Sequence, residues 1–115
     1  MVTLSPASIV IIPFPFSDLS GAKLRPALVL AATDHDDWLL CQITSKAYTN
    51  SSAIQLTDSE LSEGSLNKIS FARPMKLFTA NADLIIKRVA ILNPDTFRRI
   101  LTTTIETLQK NLPPT

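Results

Sequence analysis

The chain has 115 residues and a formal net charge of +1, and 45% of its residues are hydrophobic while 18% are charged. This composition predicts one globular domain over residues 1–115 and excludes an intrinsically disordered chain. A single cysteine, Cys41, excludes a disulfide framework, and one histidine, His35, leaves too few soft ligands for a structural zinc site. Since no apolar run is long enough for a transmembrane helix or a signal core, we expect a cytoplasmic protein without a membrane anchor.

Short apolar runs in the first half of the chain predict buried β-strands, because each run is partly β-branched and bounded by turn-forming residues. These runs cover residues 9–12, 27–31 and 38–43. The polar residues 33–37 predict a turn, so the second and third strands should form a hairpin. A fourth strand is expected at residues 53–56, followed by one helical turn over residues 57–61 with Thr57 or Asp58 as its cap.

The second half of the chain predicts more strands and then a long helix. Alternation over residues 66–71 and apolar runs at 76–78 and 85–92 favour strands, with a turn at 81–83. Asn93 is a good N-cap and Pro94 suits the first helical position. One apolar stripe follows at helical spacing, made of Phe97, Ile100, Leu101, Ile105, Leu108 and Leu112. Short strands followed by one terminal helix predict a mostly β (α+β) fold, a small barrel or rolled sheet with a helical cover.

Lysine and arginine residues concentrate near the ends of the predicted strands. Lys23 and Arg25 precede the second strand, and Lys46 follows the third. Arg73 and Lys76 flank a corner at Pro74-Met75, and Lys87-Arg88 begin a later strand. Strand ends of a small rolled sheet can meet at one groove, and a cationic groove would hold a phosphodiester backbone. The alternative is that these cations only keep the surface hydrated. Four phenylalanines near them are candidates for base stacking or for the core: Phe14, Phe16, Phe71 and Phe78.

The remaining polar residues offer no convincing catalytic group. His35 lies among aspartates in a predicted turn, where a solvated loop residue is the simpler interpretation. Cys41 lies within a buried-strand pattern and is expected to be a small core residue. The acidic residues at 34–37 and 58–63 lack the spacing of a calcium loop and favour solvated turns.

Residues 9–30 resemble the opening of the MazF/PemK toxins of bacterial toxin–antitoxin systems. The resemblance depends on Pro13-Phe14-Pro15-Phe16 and, after Lys23, on Arg25-Pro26-Ala27-Leu28-Val29. Residues 41–45, 70–78 and 86–89 follow in the order and spacing of the family. The resemblance implies an SH3-like small barrel with a C-terminal helix, of the CcdB/MazF/PemK type, that forms a homodimer and binds a cognate antitoxin protein. Ala7-Ser8 departs from the Gly-Asp pair with which the family often opens its first strand.

The resemblance also implies an activity, the cleavage of single-stranded RNA to a 2′,3′-cyclic phosphate without a metal ion or a cofactor. By motif, the catalytic pair corresponds to Arg25 and Thr44. A planar guanidinium suits two phosphate oxygens, and it would act as a proton donor to the leaving oxygen or as a clamp. Five further residues are expected to contact RNA, namely Lys23, Ser45, Lys46, Arg73 and Lys76.

Three other functions stay open at this point. The same barrel serves a gyrase-poisoning relative, which binds its target through the terminal helix without catalysis. A second possibility is a degenerate member of the family, one without catalytic activity that only binds the antitoxin. A third is an SH3-like adaptor that binds a peptide. In each case Arg25 could pair with Asp18 to fix a loop, and Thr44 could be an ordinary β-branched strand residue.

Overall fold

A computed structural model describes residues 4–15, 22–46 and 52–115 of the chain. Within these residues seven strands form one antiparallel sheet in the order β4-β6-β3-β2-β1-β7-β5, and one helix follows them. Single 3₁₀ turns at Asp58–Glu60 and Ala82–Leu84 precede β5 and β7. The elements are β1 (Ser8–Pro15), β2 (Ala22–Ala32), β3 (Asp37–Thr44), β4 (Ile54–Leu56), β5 (Leu61–Gly64), β6 (Ser70–Asn81), β7 (Lys87–Leu92) and α1 (Pro94–Gln109). The predicted mostly β fold with a C-terminal helix is confirmed.

The central strands are apolar on both faces of the sheet, which explains why they read as continuous hydrophobic runs. On one face, the helix-side core contains Ile9, Leu28 and Ile43 together with Ile100 of the helix. On the other face, the second core is made of Val10, Ile12, Ala27, Val29, Leu40, Ala80 and Ile85. Neighbouring residues such as Ile9 and Val10 therefore belong to different cores, as the two-residue period of a strand requires.

One strand, β6, replaces the two separate strands predicted around Pro74. The pairing with β3 jumps from Arg73–Gln42 to Leu77–Cys41, so the three residues between them form a bulge. Proline has no N–H for the ladder, and a bulge is where a strand tolerates it. The strand therefore continues beyond Pro74 to Asn81. The prediction that residues 66–69 belong to this strand was wrong, because β6 begins at Ser70.

A short strand that the sequence analysis missed, β5, pairs with the last strand, β7. It ends at Gly64, whose φ of +81° lies in the left-handed region. A side chain at this position would also collide with the backbone of β7, since an added Cβ would lie 2.7 Å from the Ala90 Cα. Glycine therefore permits the close approach of β5 to β7.

The terminal helix begins as predicted and buries a narrower stripe than predicted. The Asn93 side chain accepts a hydrogen bond of 2.8 Å from the Thr96 N–H, and Pro94 occupies the first turn. Thr96, Ile100 and Thr104 are buried at four-residue intervals, whereas Leu108 and Leu112 are 56% and 70% exposed. The apolar stripe predicted over the whole helix was therefore wrong for its last turns. No helix among the described residues is long and apolar enough to cross a membrane.

The Thr104 hydroxyl fastens the middle of the helix to the sheet. It donates a hydrogen bond of 2.9 Å to the carbonyl of Pro74, in the β6 bulge. The bulge turns this carbonyl away from the ladder, and a buried carbonyl needs another donor. A threonine inside the helix thus satisfies a backbone group of the strand that it covers.

Candidate functional site

A cavity of about 630 Å³ opens beside the helix-side core, within the size range of ligand sites. Residues of five strands line it, namely β1, β2, β3, β6 and β7, together with residues 65–68, which connect β5 to β6. The cavity lining shares three residues with the helix-side core. One, Ile43, belongs to that core, and two, Leu66 and Val89, pack against it. The other lining residues are Ile11, Lys23, Leu24, Arg25, Pro26, Ser45, Ser65, Asn67, Lys68, Ser70, Lys87 and Arg88.

The charge of this cavity differs from that of the whole chain. The described residues that line it include five cations and no aspartate or glutamate, whereas the full chain has a net charge of only +1. A concave surface lined by one sign of charge concentrates oppositely charged ligands. The cations are Lys23, Arg25, Lys68, Lys87 and Arg88. The cavity is therefore suited to a polyanion.

Arg25 and Thr44 lie on neighbouring strands at the edge of the cavity, in what we call the strand wall. The β2–β3 ladder pairs Ala27 with Gln42. This is the last pair of the ladder at this end, and Arg25 and Thr44 each lie two residues beyond it on their strands. The topology thus places the predicted catalytic pair on neighbouring strands, just past the end of their ladder.

The two side chains of this pair differ in exposure. Arg25 is half-buried and lines the cavity, while Thr44 is 4% exposed and does not line it. Alternation along the strands assigns both residues to the face of the second core. The Thr44 Oγ1 accepts a hydrogen bond of 3.2 Å from the Lys46 N–H. Because the hydroxyl oxygen is the acceptor in this bond, the hydroxyl proton can be donated to a second acceptor.

The other residues predicted to contact RNA divide into two groups. Lys23 and Ser45 line the cavity. Lys46, Arg73 and Lys76 lie outside its lining, and the Arg73 guanidinium donates a hydrogen bond of 2.9 Å to the Gln42 Oε1. Arg73 therefore contacts the strand that carries Thr44.

Sequence reasoning missed Lys68 as a site residue, and it noted Lys87 and Arg88 only as basic residues at a strand end. Lys68 follows β5 and precedes β6, so its place in the cavity depends on a strand that the sequence did not predict. Lys87 is paired with Ile11 of β1, and Arg88 with Val10. This pairing, which joins residues far apart in the chain, brings the two cations to the same cavity as Arg25.

Residues 65–68, which we call the loop wall, are held by an acidic residue of the preceding turn. The Asp58 Oδ1 accepts a hydrogen bond of 3.1 Å from the Leu66 N–H. A smaller cavity of about 220 Å³ has Asp58, Asn67 and Lys68 in its lining. The two cavities thus share part of the loop wall.

The turn that carries Asp58 is itself ordered by Glu60. Its carboxylate accepts hydrogen bonds from the Ser59 hydroxyl and from the Thr57 N–H and hydroxyl. Ser59 first, and then Thr57, lower the pKa of Glu60. The Glu60 carbonyl accepts a hydrogen bond of 2.8 Å from the Asn93 N–H, so the turn is fixed against the start of the helix.

The remaining candidates take no part in the cavity. Phe14 packs edge-on against Phe78 at 4.7 Å between ring centroids, and neither ring lines the cavity. Burial raises the pKa of the Cys41 thiol to about 12, which keeps it protonated and unreactive at neutral pH. His35 lies in an exposed turn with a φ of +50°. Phe16 and Asp18 lie outside the described residues.

A family model identifies the chain over almost its whole length. The model of PemK-like, MazF-like toxins of type II toxin–antitoxin systems matches residues 5–108. The chain belongs to this toxin family. No curated protein matches the sequence of the toxin at a significant level.

Solved structures with the same fold include several MazF toxins. A MazE–MazF complex from Deinococcus radiodurans is 15% identical, with a TM-score of 0.73 over 92% of this chain and 96% of that one. The Mycobacterium tuberculosis toxin MazF-mt6 is 15% identical, with a TM-score of 0.68 over 89% and 96%. An endoribonuclease in complex with its cognate antitoxin, from a mycobacterial species, is 14% identical, with a TM-score of 0.70 over 96% and 100%. At these identities the likeness establishes the fold.

Proposed function

We propose that this toxin is an endoribonuclease that cleaves single-stranded RNA at the strand wall, without a metal ion. The observation that carries the proposal is the position of Arg25 and Thr44 on neighbouring strands, two residues beyond the last β2–β3 pair, beside a cavity lined by five cations. The family membership supports it, and the mycobacterial protein of the same fold that was solved with its antitoxin is an endoribonuclease. A cationic cavity alone would bind RNA, whereas a guanidinium and a hydroxyl at its edge provide donors for a reacting phosphate.

The reaction uses the RNA's own nucleophile. The 2′-oxygen forms a bond to the adjacent phosphorus and gives its proton to solvent, and the bond from phosphorus to the 5′-oxygen breaks. The leaving 5′-oxygen takes a proton from solvent, so the products are a 2′,3′-cyclic phosphate and a 5′-hydroxyl. The toxin has to hold the phosphate in line and offset the negative charge that grows on its oxygens.

Arg25 and Thr44 would carry out the second task. The Arg25 guanidinium is always charged and presents a planar fork to two non-bridging oxygens, so it acts as a clamp. The Thr44 hydroxyl would donate one more hydrogen bond to the same phosphate. Because Thr44 is 4% exposed, only a phosphate drawn down onto the strand ends reaches it.

The other predicted contacts would bind the rest of the RNA. Lys23 and Ser45 line the cavity and would hold the nucleotide next to the cleavage site. Lys46, Arg73 and Lys76 lie outside it and would contribute to longer substrates. The toxin would work in the cytoplasm as a homodimer, and a cognate antitoxin would inhibit it by covering the cleft, for which an acidic tail has the complementary charge.

The experiment is a cleavage assay with purified toxin and single-stranded RNA in the presence of EDTA. We expect fragments that end in a 2′,3′-cyclic phosphate and begin with a 5′-hydroxyl, and we expect a 2′-deoxy substitution at the mapped site to block cleavage. Arg25→Ala should reduce the rate by about 10²–10³-fold. Lys110→Ala, at an exposed position beyond the helix, is the matched control. A wild-type rate for Arg25→Ala in EDTA would refute the assignment.

A non-catalytic binding toxin is the second candidate, and the exposed end of the helix favours it. Ile105, Leu108 and Leu112 are 49%, 56% and 70% exposed, so the helix offers apolar side chains to a target protein. In that case the purified toxin would leave RNA intact, and Leu108→Ser would abolish growth arrest on expression while Arg25→Ala would not. The endoribonuclease predicts the opposite result for both variants.

A further inference from the structure

We infer that the loop wall and the first two residues of β7 form a second phosphate site, which holds the RNA backbone next to the scissile phosphate. This inference rests on the proposed function, because it concerns the same RNA. Lys68 of the loop wall and Lys87 and Arg88 of β7 line the same cavity as Arg25. Lys68 and the β7 pair lie on different elements, about twenty residues apart in the chain, and the fold brings them to one cavity.

The position of the scissile phosphate requires such a site. Arg25 and Thr44 lie on β2 and β3 beyond the last pair of these strands, and the 630 Å³ cavity is lined both by Arg25 and by the loop wall. An RNA strand that presents one phosphate to Arg25 has its next nucleotide in this cavity. The neighbouring phosphate then meets three cations and no described carboxylate in the lining.

The cations of the second phosphate site are more exposed to solvent than the cation of the strand wall. Lys68, Lys87 and Arg88 are all exposed, whereas Arg25 is half-buried. Exposed lysines suit a contact that contributes affinity through release of counterions rather than through a fixed geometry. The second phosphate site should therefore affect the KM for RNA and its dependence on salt, and should leave kcat nearly unchanged.

Asp58 acts on this site as a positioning residue. Its carboxylate accepts the hydrogen bond from the Leu66 N–H, in the middle of the loop wall, and it lines the smaller cavity together with Lys68. A carboxylate near an RNA site repels phosphate, so Asp58 opposes binding by its charge. Its hydrogen bond has the opposite effect, because it fixes the segment that carries Lys68. The two effects can be separated by mutation.

The first experiment measures binding as a function of salt. The probe is a short fluorescent RNA with 2′-O-methyl groups throughout, which binds without being cleaved by its own 2′-oxygens. Lys68→Ala and Lys87→Ala should each reduce the slope of log K against log salt by about 0.7, and weaken binding about fivefold at 0.1 M salt. Lys110→Ala should change neither value. Unchanged slopes for both cavity variants would overturn the inference.

The second experiment separates the charge of Asp58 from its hydrogen bond. Asp58→Asn keeps an acceptor for the Leu66 N–H and removes the charge, so it should bind the probe as well as wild type or more tightly. Asp58→Ala removes both and should weaken binding, with a higher KM and an unchanged kcat. Equal tightening by both variants would show a charge effect alone and would overturn the positioning role.

The two proposals fail in different ways. If wild-type toxin cleaves RNA through Arg25 but the lysine variants keep the full salt slope, the second phosphate site is wrong and the proposed function stands. If wild-type toxin neither binds nor cleaves RNA, both proposals are wrong.

Discussion

The strand wall and the loop wall lie beside the same cavity, which Arg25 lines and Thr44 does not, and they are stabilised in different ways. Arg25 and Thr44 lie on central strands, with a ladder partner on either side of each strand and apolar cores on both faces. The loop wall follows a four-residue edge strand, and one hydrogen bond from its centre reaches Asp58. A transition state requires donors fixed to within a fraction of an ångström, while a flanking phosphate tolerates movement. The comparison teaches that the residues proposed for catalysis lie on the more firmly held part of the toxin. The cations proposed for RNA affinity lie on the less firmly held part.

The largest effect should come from changing the shape of the cation in the strand wall. Arg25→Lys keeps the charge but loses the planar fork, so we expect it to restore little of the 10²–10³-fold loss in rate caused by Arg25→Ala. The measurement is single-turnover cleavage of RNA at saturating toxin. Full activity in the lysine variant would mean that a point charge suffices, and the two walls would then differ less than we propose.

The hydroxyl of the strand wall should matter next. Thr44→Val keeps the β-branched shape in a buried position and removes the donor, so we expect a rate about 10²-fold lower with unchanged RNA affinity. Thr44→Ser, which keeps the hydroxyl, should retain most of the rate. Equal rates for valine and serine would remove the hydroxyl from the mechanism.

The loop wall begins directly after Gly64, so a substitution of this glycine should displace it. A methyl group there would overlap the Val89 carbonyl oxygen and force a residue with a side chain into a positive φ. We expect Gly64→Ala to lower the free energy of unfolding by about 3 kcal/mol. Urea denaturation measures the change, and Ser65→Ala, the next residue along, is the control. A stability equal to that of the control would contradict the close approach of β5 to β7.

A smaller change in stability should follow from releasing the helix. Thr104→Val leaves the buried Pro74 carbonyl without its hydroxyl donor, which should cost about 1–2 kcal/mol. Thr104→Ser keeps the donor and should lose less, as thermal unfolding can show. Because neither Thr104 nor Pro74 lines the cavity, RNA cleavage by the valine variant should remain near wild type. A large loss of cleavage would show that the helix helps to position the strand wall.

The smallest expected effect is the change in stability with pH that comes from the Cys41 thiol, which is buried in the central sheet. Burial raises its pKa from 9.0 to about 12, so the folded state holds this proton more firmly than the unfolded state. The resulting contribution to stability is complete below pH 9 and is lost as the pH rises towards 12. Iodoacetamide should therefore label native toxin far more slowly than toxin in urea. Rapid labelling of the native protein would indicate that the central sheet opens readily.

Local patterns in the sequence were sufficient to predict much of the strand wall. The continuous apolar runs at 27–31 and 38–43 and the polar turn between them predict the β2–β3 hairpin, and a hairpin with this turn brings Arg25 and Thr44 near each other. Asn93 and Pro94 likewise predict the start of the helix, because capping depends on residues that are neighbours in the chain.

The loop wall was beyond prediction because contacts between distant residues create it. β5 contains Ser62, Glu63 and Gly64, which have little strand propensity, and it forms by pairing with β7 about thirty residues later. The place of Lys68 then depends on that strand and on the Asp58–Leu66 hydrogen bond. The helix stripe was overestimated for a similar reason. Its spacing is helical throughout, but which turns are buried depends on where the sheet ends.

The short strands at the two ends of the sheet have a consequence for a toxin that can exist apart from its antitoxin. β4 has three residues and β5 has four, and β5 carries the charged Glu63 and ends at Gly64. A long, flat outer strand offers a row of backbone donors and acceptors to another chain and promotes fibrous aggregation. Outer strands this short present few such groups, which disfavours edge-to-edge joining of toxin molecules.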